Sequence, residues 1–403
     1  MTAIRHAAAS SGRRPRIALY GHDTVGLGHL RRNLALARAL ADGPVDADVL
    51  VVAGAPEVTR FPRPAGVDVV TLPTVDKNPA GTYVPGRLGL PLEEVVAIRA
   101  AVLRAALGSF APELLVVDKV PLGLGGELVP ALRRVRERHG TRTVLGLRDV
   151  LDDPRTARSD WRRQRTTEAL RRHYDEVWVY GDRAVHDLVD TCRVPPGLRG
   201  DVHHVGYLAE GRVAEPVPPP GPAGGEPYVV GLVGGGQDGS RLATALAEAA
   251  GRPGVPHVVL VGGPYLPGST LEVLQAAAGP HLTVVPFAEQ PERWLAGARA
   301  VVAMGGYNTV SELLTTTTPA LIVPRTSPRL EQWVRAERLS ALGLVDVLHP
   351  ADLAPDRLAG WVGAAVGRRV ARAGRVDLGG LAAVRSRAAA LLAPIREVSR
   401  AAG

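Results

Sequence analysis

The feature that most constrains this chain is a repeated alternation of short apolar runs with longer amphipathic stretches. In the first half such runs begin at Arg16, Asp48, Val67, Glu113, Thr143 and Glu176. Most are apolar at nearly every position, which is typical of strands buried on both faces of a parallel sheet. The spacing between them predicts helices over 29–41, 92–109, 126–139 and 160–173. Alternating strands and helices predict a doubly wound α/β domain.

A Pro- and Gly-rich stretch over 209–227 interrupts the alternation and predicts a linker, because it cannot sustain a packed element. After it, apolar runs resume at Tyr228, His257, Leu282, Ala300 and Pro319. Helices are predicted from Arg241, Thr270, Asn308 and Gly380 and near 291–297. We therefore predict a loose tail over 1–15 and two Rossmann-like domains, over 16–208 and 228–403. Two such domains leave a cleft lined by the carboxyl ends of both sheets, where α/β proteins bind ligands.

Composition narrows the classes of partner. Net charge is +8, and nearly all of the positive charge is arginine scattered among acids, without an aromatic-interleaved stripe. A solvated surface is the favoured interpretation, phosphorylated substrates come second, and nucleic acid is the least favoured partner. A single cysteine, Cys192, excludes an internal disulfide and a cysteine-cluster zinc site. With no signal-peptide pattern and no apolar run near the roughly 18 residues of a membrane span, a cytoplasmic protein is predicted.

Glycine-rich turns follow three of the predicted strands. They read GHDTVGLGHLRR from Gly21, GGGQDGS from Gly234 and GGYNTVSE from Gly305. Such a turn lets backbone N–H groups approach a phosphate, with the helix dipole behind them. One turn alone is weak evidence, but three at strand ends of two domains favour a phosphate-bearing ligand. None of them ends in Gly-Lys-Ser/Thr, so a P-loop nucleotide site is not predicted.

One segment carries a specific family resemblance. MGGYNTVSELLTTTTPALIVPRTSPRLEQWVRAERLSALG, over 304–343, resembles the donor-binding segment of MurG-like glycosyltransferases of family 28. These enzymes have the two-domain glycosyltransferase-B fold and bind a UDP-sugar in the cleft. GGGQDG resembles their second phosphate loop, and GLGHLRR resembles their first loop and also the Gly-x-Gly-His-x-x-Arg motif of nucleotide-sugar hydrolases sharing the fold. The resemblance implies an acceptor-binding N-terminal domain and a donor-binding C-terminal domain.

The resemblance also implies roles for residues of the C-terminal domain. Glu312 would accept hydrogen bonds from the ribose hydroxyls, Phe287 would cap the base, and Glu331 with Gln332 would bind the sugar hydroxyls. Where the hexosamine transferase has Gln-Gln this chain has Glu-Gln, so the identity of the sugar stays open. The residues that would face the diphosphate or begin the donor helix are Gly235, Gly236, Gln237, Gly305, Gly306, Asn308 and Thr309.

Each of these residue types also has a purely structural interpretation. Glu312 fits an acid favoured by a helix dipole, and Phe287 fits a core residue. Asn308 and Thr309 fit helix caps, and the Glu-Gln pair fits an exposed helix start.

The catalytic candidate is His29, which is predicted on the first turn of a helix that faces the cleft. Transfer with inversion needs a base on the acceptor hydroxyl, and imidazole suits that task at neutral pH. The structural alternative is a histidine that caps its own helix. Gly26 and Gly28 belong to the same acceptor and phosphate loop, and Arg32 would orient His29 or meet phosphate. Asp149, at the carboxyl end of its strand, is predicted to contact the acceptor or to assist as base.

Other acidic residues are considered as possible metal ligands. Asp46 and Asp48 have the spacing of metal-dependent glycosyltransferases, but they precede their strand and so lie at the far end of the sheet. Asp118 ends its strand on the cleft side, and Asp152 with Asp153 fits either a cleft acid or a helix start. No metal and no cofactor are predicted.

The leading hypothesis is an inverting, metal-independent glycosyltransferase that uses a nucleotide-diphosphate sugar, with UDP favoured, and a hydroxyl or amine acceptor. The first alternative is a nucleotide-sugar hydrolase in which the same base activates water. A same-fold epimerase and a basic nucleic-acid-binding module are weaker alternatives. The acceptor stays open among a natural product, a glycan and a lipid. The Pro- and Gly-rich loop from Thr74 to Pro91, next to the helix 92–109, allows a peripheral membrane contact.

Overall fold

The computed structural model describes residues 13–22, 28–78, 82–209, 218–219, 227–288 and 290–393. The predicted site residue Gly26 and most of the predicted linker therefore lie outside the described residues.

The strands of the first half are β1 (Arg16–Gly21), β2 (Asp48–Ala53), β3 (Val67–Thr71), β4 (Val75–Lys77), β5 (Tyr83–Pro85), β6 (Leu114–Asp118), β7 (Arg142–Arg148), β8 (Glu176–Tyr180) and β9 (Val202–His204). Those of the second half are β10 (Tyr228–Leu232), β11 (His257–Val261), β12 (Leu282–Val285), β13 (Ala300–Ala303), β14 (Ala320–Ile322) and β15 (Asp346–Val347).

The helices of the first half are α1 (Gly28–Ala41), α2 (Leu92–Phe110), α3 (Val129–His139), α4 (Pro154–Arg163), α5 (Thr166–His173) and α6 (Leu188–Thr191). Those of the second half are α7 (Ser240–Ala249), α8 (Gly268–Ala276), α9 (Glu292–Leu295), α10 (Tyr307–Leu313), α11 (Glu331–Ala341), α12 (Pro355–Ala365) and α13 (Gly380–Leu392).

Two parallel sheets organise the molecule, as the alternation of apolar runs predicted. The first has strand order β3-β2-β1-β6-β7-β8-β9, and the second has order β12-β11-β10-β13-β14-β15. Strands β4 and β5 form a separate antiparallel pair. In both sheets the order reverses beside the first strand, between β1 and β6 and between β10 and β13. Such switch points open a crevice at the carboxyl ends of the strands, so the prediction of two doubly wound domains is confirmed.

Two predicted helices differ from the structure, and each difference has a local cause. The stretch 160–173 is two helices, because Arg165 takes a left-handed backbone conformation with φ 52° between α4 and α5. Helix α4 begins earlier, at Pro154, since the Asp153 carboxylate caps it by accepting the amide of Arg155 at 2.9 Å. Helix α3 begins at Val129 rather than 126, because Gly126 has φ 84°, which a right-handed helix cannot contain.

The last helix, α13, returns to the first sheet although it follows the second in sequence. Arg387 on this helix forms an ion pair of 2.7 Å with Glu176 at the start of β8. At its first residue, the Gly380 amide donates to the carbonyl of Tyr207 at 3.0 Å. The apolar side of α13, including Val384 and Ala388, joins the same buried cluster as Ile17 of β1. The two halves are therefore joined by a returning helix as well as by the connecting segment.

The predicted acceptor-side loop contains the β4–β5 pair and several exposed apolar side chains. Leu88 and Leu90, together with Ile98 on α2, are exposed. No helix of the described chain is long and apolar enough to cross a membrane. Peripheral membrane contact remains a prediction.

Candidate active site

The first glycine turn and Asp118 meet at the switch point of the first sheet. Helix α1 follows β1, and Asp118 is the last residue of β6, the parallel neighbour of β1. Because the carboxyl ends of neighbouring parallel strands share one edge of a sheet, the first turn of α1 lies directly beside Asp118. His29 occupies that first turn.

A three-residue network joins His29, Asp118 and Arg32. The Nδ1 atom of His29 lies 2.5 Å from Oδ2 of Asp118. Arg32, one helical turn further along α1, binds both oxygens of the same carboxylate, with its Nη2 atom 2.7 Å from Oδ1. The side chains of Arg32 and Asp118 are 1% and 2% exposed, whereas the imidazole keeps 15% exposure. His29 is therefore the one partly exposed side chain of this network, and it lies against a buried ion pair.

The protonation state of His29 follows from its surroundings. Burial lowers the pKa of His29 to about 4, although the Asp118 carboxylate acts in the opposite direction. The Arg32 guanidinium and His29 hold the pKa of Asp118 well below its usual range in spite of its burial. The same Nδ1 atom also lies 3.0 Å from Nη2 of Arg32, which can only donate. Because the contact with the carboxylate is shorter and a carboxylate only accepts, the neutral imidazole is assigned the proton on Nδ1. Its Nε2 atom then carries a lone pair at neutral pH.

Across the cleft, the start of α1 contacts the helix that the family resemblance assigns to the donor. The side-chain amide of Asn308 on α10 donates to the carbonyl of Gly28 at 3.1 Å. Arg31 on α1 donates to Glu312 on α10 at 3.0 Å and to Glu292 at 3.1 Å. Glu312 is 2% exposed. The predicted base and the predicted ribose-binding carboxylate thus lie on two helices in direct contact.

The two glycine turns of the second domain also lie at a switch point, between β10 and β13. Gly236 and Gly305 have φ values of 91° and 81°, and a Cβ atom at Gly236 would lie 2.7 Å from the backbone nitrogen of Leu266. A Cβ atom at Gly263 would lie 2.3 Å from the backbone of Gly235. Glycine is therefore required at these places by packing and backbone conformation.

The remaining predicted diphosphate residues differ in exposure. Gln237 is exposed at the tip of the second turn, and Thr309 is half-buried on α10. Gly306 precedes α10 in an extended conformation, with no side-chain hydrogen bond capping the helix. Phe287, which follows β12, is 38% exposed and therefore is not a core residue. An exposed aromatic ring beside the cleft is available for stacking on a flat ligand.

Glu331 and Gln332 begin α11 and share one partner, Arg325. The Arg325 guanidinium forms a short ion pair with Glu331, and the Arg325 amide donates to Oε1 of Gln332 at 3.1 Å. Arg325 also pairs with Asp238, next to Gln237, at 2.8 Å. Burial raises the pKa of Glu331, but the positive charges of Arg148 and Arg325 outweigh it and lower that pKa to about 2. Arg325 thus connects the second glycine turn to the predicted sugar-binding pair.

Asp149 lies in a different environment from the one expected for it. Its carboxylate accepts two hydrogen bonds from Arg335 on α11, at 2.8 and 2.6 Å, and a third from the hydroxyl of Tyr207 at 3.0 Å. Both members of the ion pair are fully buried, and Arg335 also donates to the carbonyl of Gly305 at 3.2 Å. The Arg335 guanidinium lowers the pKa of Asp149 against the effect of burial. The environment favours a bridge between the two domains over the expected contact with the acceptor.

Sequence reasoning gave no role to several residues that the structure brings to the site. Asp118 was placed at the correct edge of the sheet, but its pairing with His29 spans 89 positions, which no local pattern reveals. The contacts of Arg31 and Arg335 cross between domains and are likewise invisible in a single sequence. Among the described residues, no group of three or more histidine, cysteine, aspartate or glutamate side chains has the arrangement of a metal site.

The class of fold follows from this architecture: two doubly wound domains, with helices from their switch points in contact, form the glycosyltransferase-B fold. The calicheamicin glycosyltransferase CalG4 superposes with a TM-score of 0.61 at 21% identity, over 95% of this chain and all of that one. MurG from Acinetobacter baumannii superposes with a TM-score of 0.53 at 15% identity, over 93% of this chain and 94% of that one. At these identities the structural likeness establishes the fold.

Sequence comparison adds a partial relative. No family model matches the sequence. The UDP-N-acetylglucosamine--N-acetylmuramyl-(pentapeptide) pyrophosphoryl-undecaprenol N-acetylglucosamine transferase of Saccharopolyspora erythraea is 33% identical over 131 residues, or 32% of this chain. Those residues span 34% of the relative's length. The predicted resemblance to MurG-like glycosyltransferases is confirmed, and the match covers about a third of each chain.

Proposed function

We propose that this protein is an inverting glycosyltransferase that moves a sugar from a nucleoside diphosphate to a hydroxyl or amine acceptor. The observation that carries the proposal is the contact between His29 and Asp118 on a helix terminus that also contacts α10. A base in this position lies between an acceptor on the first domain and a donor on the second. The partial match to a glycosyltransferase and the shared fold support the same activity.

The proposed step is a single displacement. The acceptor oxygen or nitrogen attacks the anomeric carbon while its proton passes to Nε2 of His29. The bond between the anomeric carbon and the diphosphate oxygen breaks, and the nucleoside diphosphate leaves with that electron pair. Asp118 stabilises the imidazolium that forms, as a carboxylate behind a catalytic histidine does in other enzymes. One displacement inverts the configuration of the anomeric carbon.

For the donor we propose a UDP-sugar. The Saccharopolyspora relative is named for a UDP-sugar, and residues of suitable chemistry surround the cleft side of the second domain. Glu312 would accept hydrogen bonds from the ribose, sharing or replacing its contact with Arg31. The exposed ring of Phe287 would stack on the base, and Glu331 with Gln332 would contact the sugar.

We further propose that transfer needs no divalent metal. The leaving diphosphate would be met by backbone N–H groups of the Gly235–Gly236 turn and by cationic side chains, which stabilise developing negative charge. Turnover should therefore persist in excess chelator and should not rise with added magnesium or manganese. Abolition by chelator with recovery in magnesium would refute this part of the proposal.

The function is tested by replacing His29 and, as a matched control, the neighbouring His22, whose ring centre lies 5.4 Å from that of His29. His29→Ala should lower turnover by about 100-fold or more, the usual contribution of a general base. UDP affinity, measured by calorimetry, should stay near that of the unmodified protein. His22→Ala should keep most of the turnover. Equal losses in both variants, or lost UDP binding in His29→Ala, would contradict the role of His29 as base.

A further measurement separates a transferase from a nucleotide-sugar hydrolase. Release of free sugar at the same rate with and without acceptor would identify a hydrolase instead of a transferase.

Glu312→Gln should weaken UDP binding by about 1–3 kcal/mol, because hydrogen bonds to a charged group are lost. Glu248→Gln, on the exposed face of α7, is the control and should leave UDP affinity unchanged.

A further inference from the structure

A cluster of basic side chains lies beside Glu331, where the carboxyl ends of β6 and β7 face the start of α11. It is formed by Lys77, Lys119, Arg148, Arg325 and Arg329. Lys77 and Lys119 are the only lysines in the sequence, which otherwise uses arginine for positive charge. Neither lysine nor Arg148 takes part in the proposed transfer step.

Two of the arginines already have acidic partners. Arg325 is paired with Glu331 and Asp238, and its partners therefore neutralise it locally. Arg329 is paired with Asp152 at 2.9 Å and with Asp160 at 2.7 Å. Two acids also act on the cluster from a distance: Glu331 raises the pKa values of Lys119 and Arg148, and Asp149 raises that of Arg148.

The side chains of Lys119 and Arg148 have no such partner. Both are partly buried, and neither side chain makes a hydrogen bond or ion pair with a described residue. The Nε atom of Arg148 is buried without a hydrogen-bond partner, as is Oε2 of Glu331. Glu331 attracts both cations without contacting either of them directly. A direct charge-assisted contact from an anion would therefore still stabilise these two partly buried cations.

The backbone fixes Lys119 in this place. Lys119 has a left-handed conformation with φ 67°, and its amide donates to the carbonyl of Gly146 on β7 at 2.8 Å. Residues other than glycine rarely adopt this left-handed backbone conformation, and such backbone strain is concentrated at functional sites. Lys119 directly follows Asp118. It therefore lies at the same strand end as the proposed catalytic pair of His29 and Asp118.

Burial and mutual repulsion affect the protonation of Lys119 and Arg148. Burial, and next the positive charge of Arg148, lower the pKa of Lys119 to about 7. Burial also lowers the pKa of Arg148. An arginine cannot give up its proton at neutral pH, whereas a lysine can. Lys119 can therefore lose its proton, which relieves its repulsion with Arg148. A nearby anion would favour the protonated form of Lys119 again.

We propose that Lys119 and Arg148, with Lys77 at the rim, form an anion subsite that binds a carboxylate or phosphate group of a transfer substrate. This inference rests on the proposed transferase function, since it assigns the anion to one of the two substrates. The group belongs either to the acceptor or to the donor sugar, and it is distinct from the donor diphosphate. The subsite lies next to the predicted sugar-binding residue Glu331.

Inorganic phosphate is the probe for the subsite. At constant ionic strength it should stabilise the protein saturably against heat, with and without saturating UDP. Arg148→Gln and Lys119→Gln should each raise the half-saturating phosphate concentration about 10-fold or more, since a charge-assisted contact is lost. Arg171→Gln, an exposed arginine on α5, is the control and should leave it unchanged.

Two results would overturn the subsite: phosphate binding that neither variant weakens, or phosphate binding that saturating UDP abolishes. Calorimetry with UDP on the same samples reports separately on the proposed function. UDP binding without Arg148-dependent phosphate binding refutes only the subsite. Arg148-dependent phosphate binding without any nucleoside diphosphate binding refutes the transferase function instead.

A last pair of ligands identifies the source of the anion. If the donor sugar carries it, UDP-glucuronic acid should bind about 10-fold tighter than UDP-glucose, displace phosphate, and lose this preference in Arg148→Gln. If the acceptor carries it, the two donors should bind alike and phosphate should bind beside either of them.

Discussion

Two aspartates at neighbouring strand ends of the first sheet have similar partners but different surroundings. Asp118 ends β6 and Asp149 follows β7, and each is buried against an arginine that binds both of its oxygens. The arginine of Asp118 comes from α1 of the same domain, and a partly exposed imidazole completes the group. The arginine of Asp149 comes from α11 of the other domain, and a tyrosine hydroxyl completes that group.

The difference lies in what the third partner can do. The imidazole beside Asp118 can gain a proton at Nε2, so in the proposed mechanism this carboxylate acts on the catalytic base. The tyrosine beside Asp149 is buried, and both burial and the nearby carboxylate raise its pKa well above the usual range. The Asp149–Arg335 pair joins the two domains, and Arg335 also binds the Gly305 carbonyl. We therefore propose a structural role for Asp149 in place of the acceptor contact predicted from the sequence. A buried ion pair alone does not identify a catalytic carboxylate.

The largest expected effect is on folding stability at the Asp149 pair. Asp149→Asn leaves Arg335 buried without a counter-charge, which should lower the free energy of unfolding by about 3–5 kcal/mol. Urea unfolding measures this loss, and turnover per folded molecule should remain within about threefold, since no reacting group is removed. The double variant with Arg335→Met should recover part of the stability. An inactive but fully stable Asp149→Asn protein would return Asp149 to the catalytic role predicted from sequence.

At Asp118 the expected effect is mainly kinetic. Asp118→Asn should lower turnover by about 100-fold or more, because the imidazole loses its orientation and the charge that stabilises its protonated form. UDP affinity, measured by calorimetry, should change little. Turnover above a tenth of the unmodified rate would contradict the proposed role of Asp118.

The pH dependence of kcat/KM reports on the free protein. His29 must be unprotonated to act as a base, so activity is lost as pH falls through its pKa, which burial lowers to about 4. We expect kcat/KM to be constant through neutral pH and to fall only near that value. In Asp118→Asn the acidic fall of kcat/KM should move to lower pH, since the Asp118 carboxylate raises the pKa of His29. Recovery of activity on return to neutral pH is the control, and a limb near the ordinary histidine pKa would contradict the burial of the imidazole.

The smallest effect distinguishes the tyrosine beside Asp149 from the tyrosine near Asp118. Tyr207→Phe removes a hydrogen bond to Asp149 and should lower the free energy of unfolding by about 1 kcal/mol. Tyr180 lies near Asp118, and its buried hydroxyl has no hydrogen-bond partner among the described residues. Tyr180→Phe should therefore be neutral or slightly stabilising. Equal losses of stability in both variants would show that the two surroundings are more alike than their contacts indicate.

The sequence predicted the fold well because strand patterns are local. Eight predicted strands begin at the same residues in the structure, among them those at Arg16, Asp48 and Tyr228. The glycine turns and His29 were found because they directly follow those strands. The pairing of His29 with Asp118 and that of Asp149 with Arg335 join residues 89 and 186 positions apart, so they depend on how strands and domains come together. The sequence placed both Asp118 and Asp149 at strand ends but predicted a catalytic role only for Asp149. Their different third partners, an imidazole and a tyrosine hydroxyl, appear only in the structure.

The central claim is that Asp118 acts through His29, and a double-mutant cycle tests it directly. Turnover is measured for His29→Ala, for Asp118→Asn and for the double variant, at saturating donor and with folding checked by urea unfolding. If the two residues form one catalytic unit, the double variant should turn over within about threefold of His29→Ala alone, because the second change has nothing further to remove. If the two losses multiply in the double variant, Asp118 contributes independently of His29, and the proposed pair is wrong.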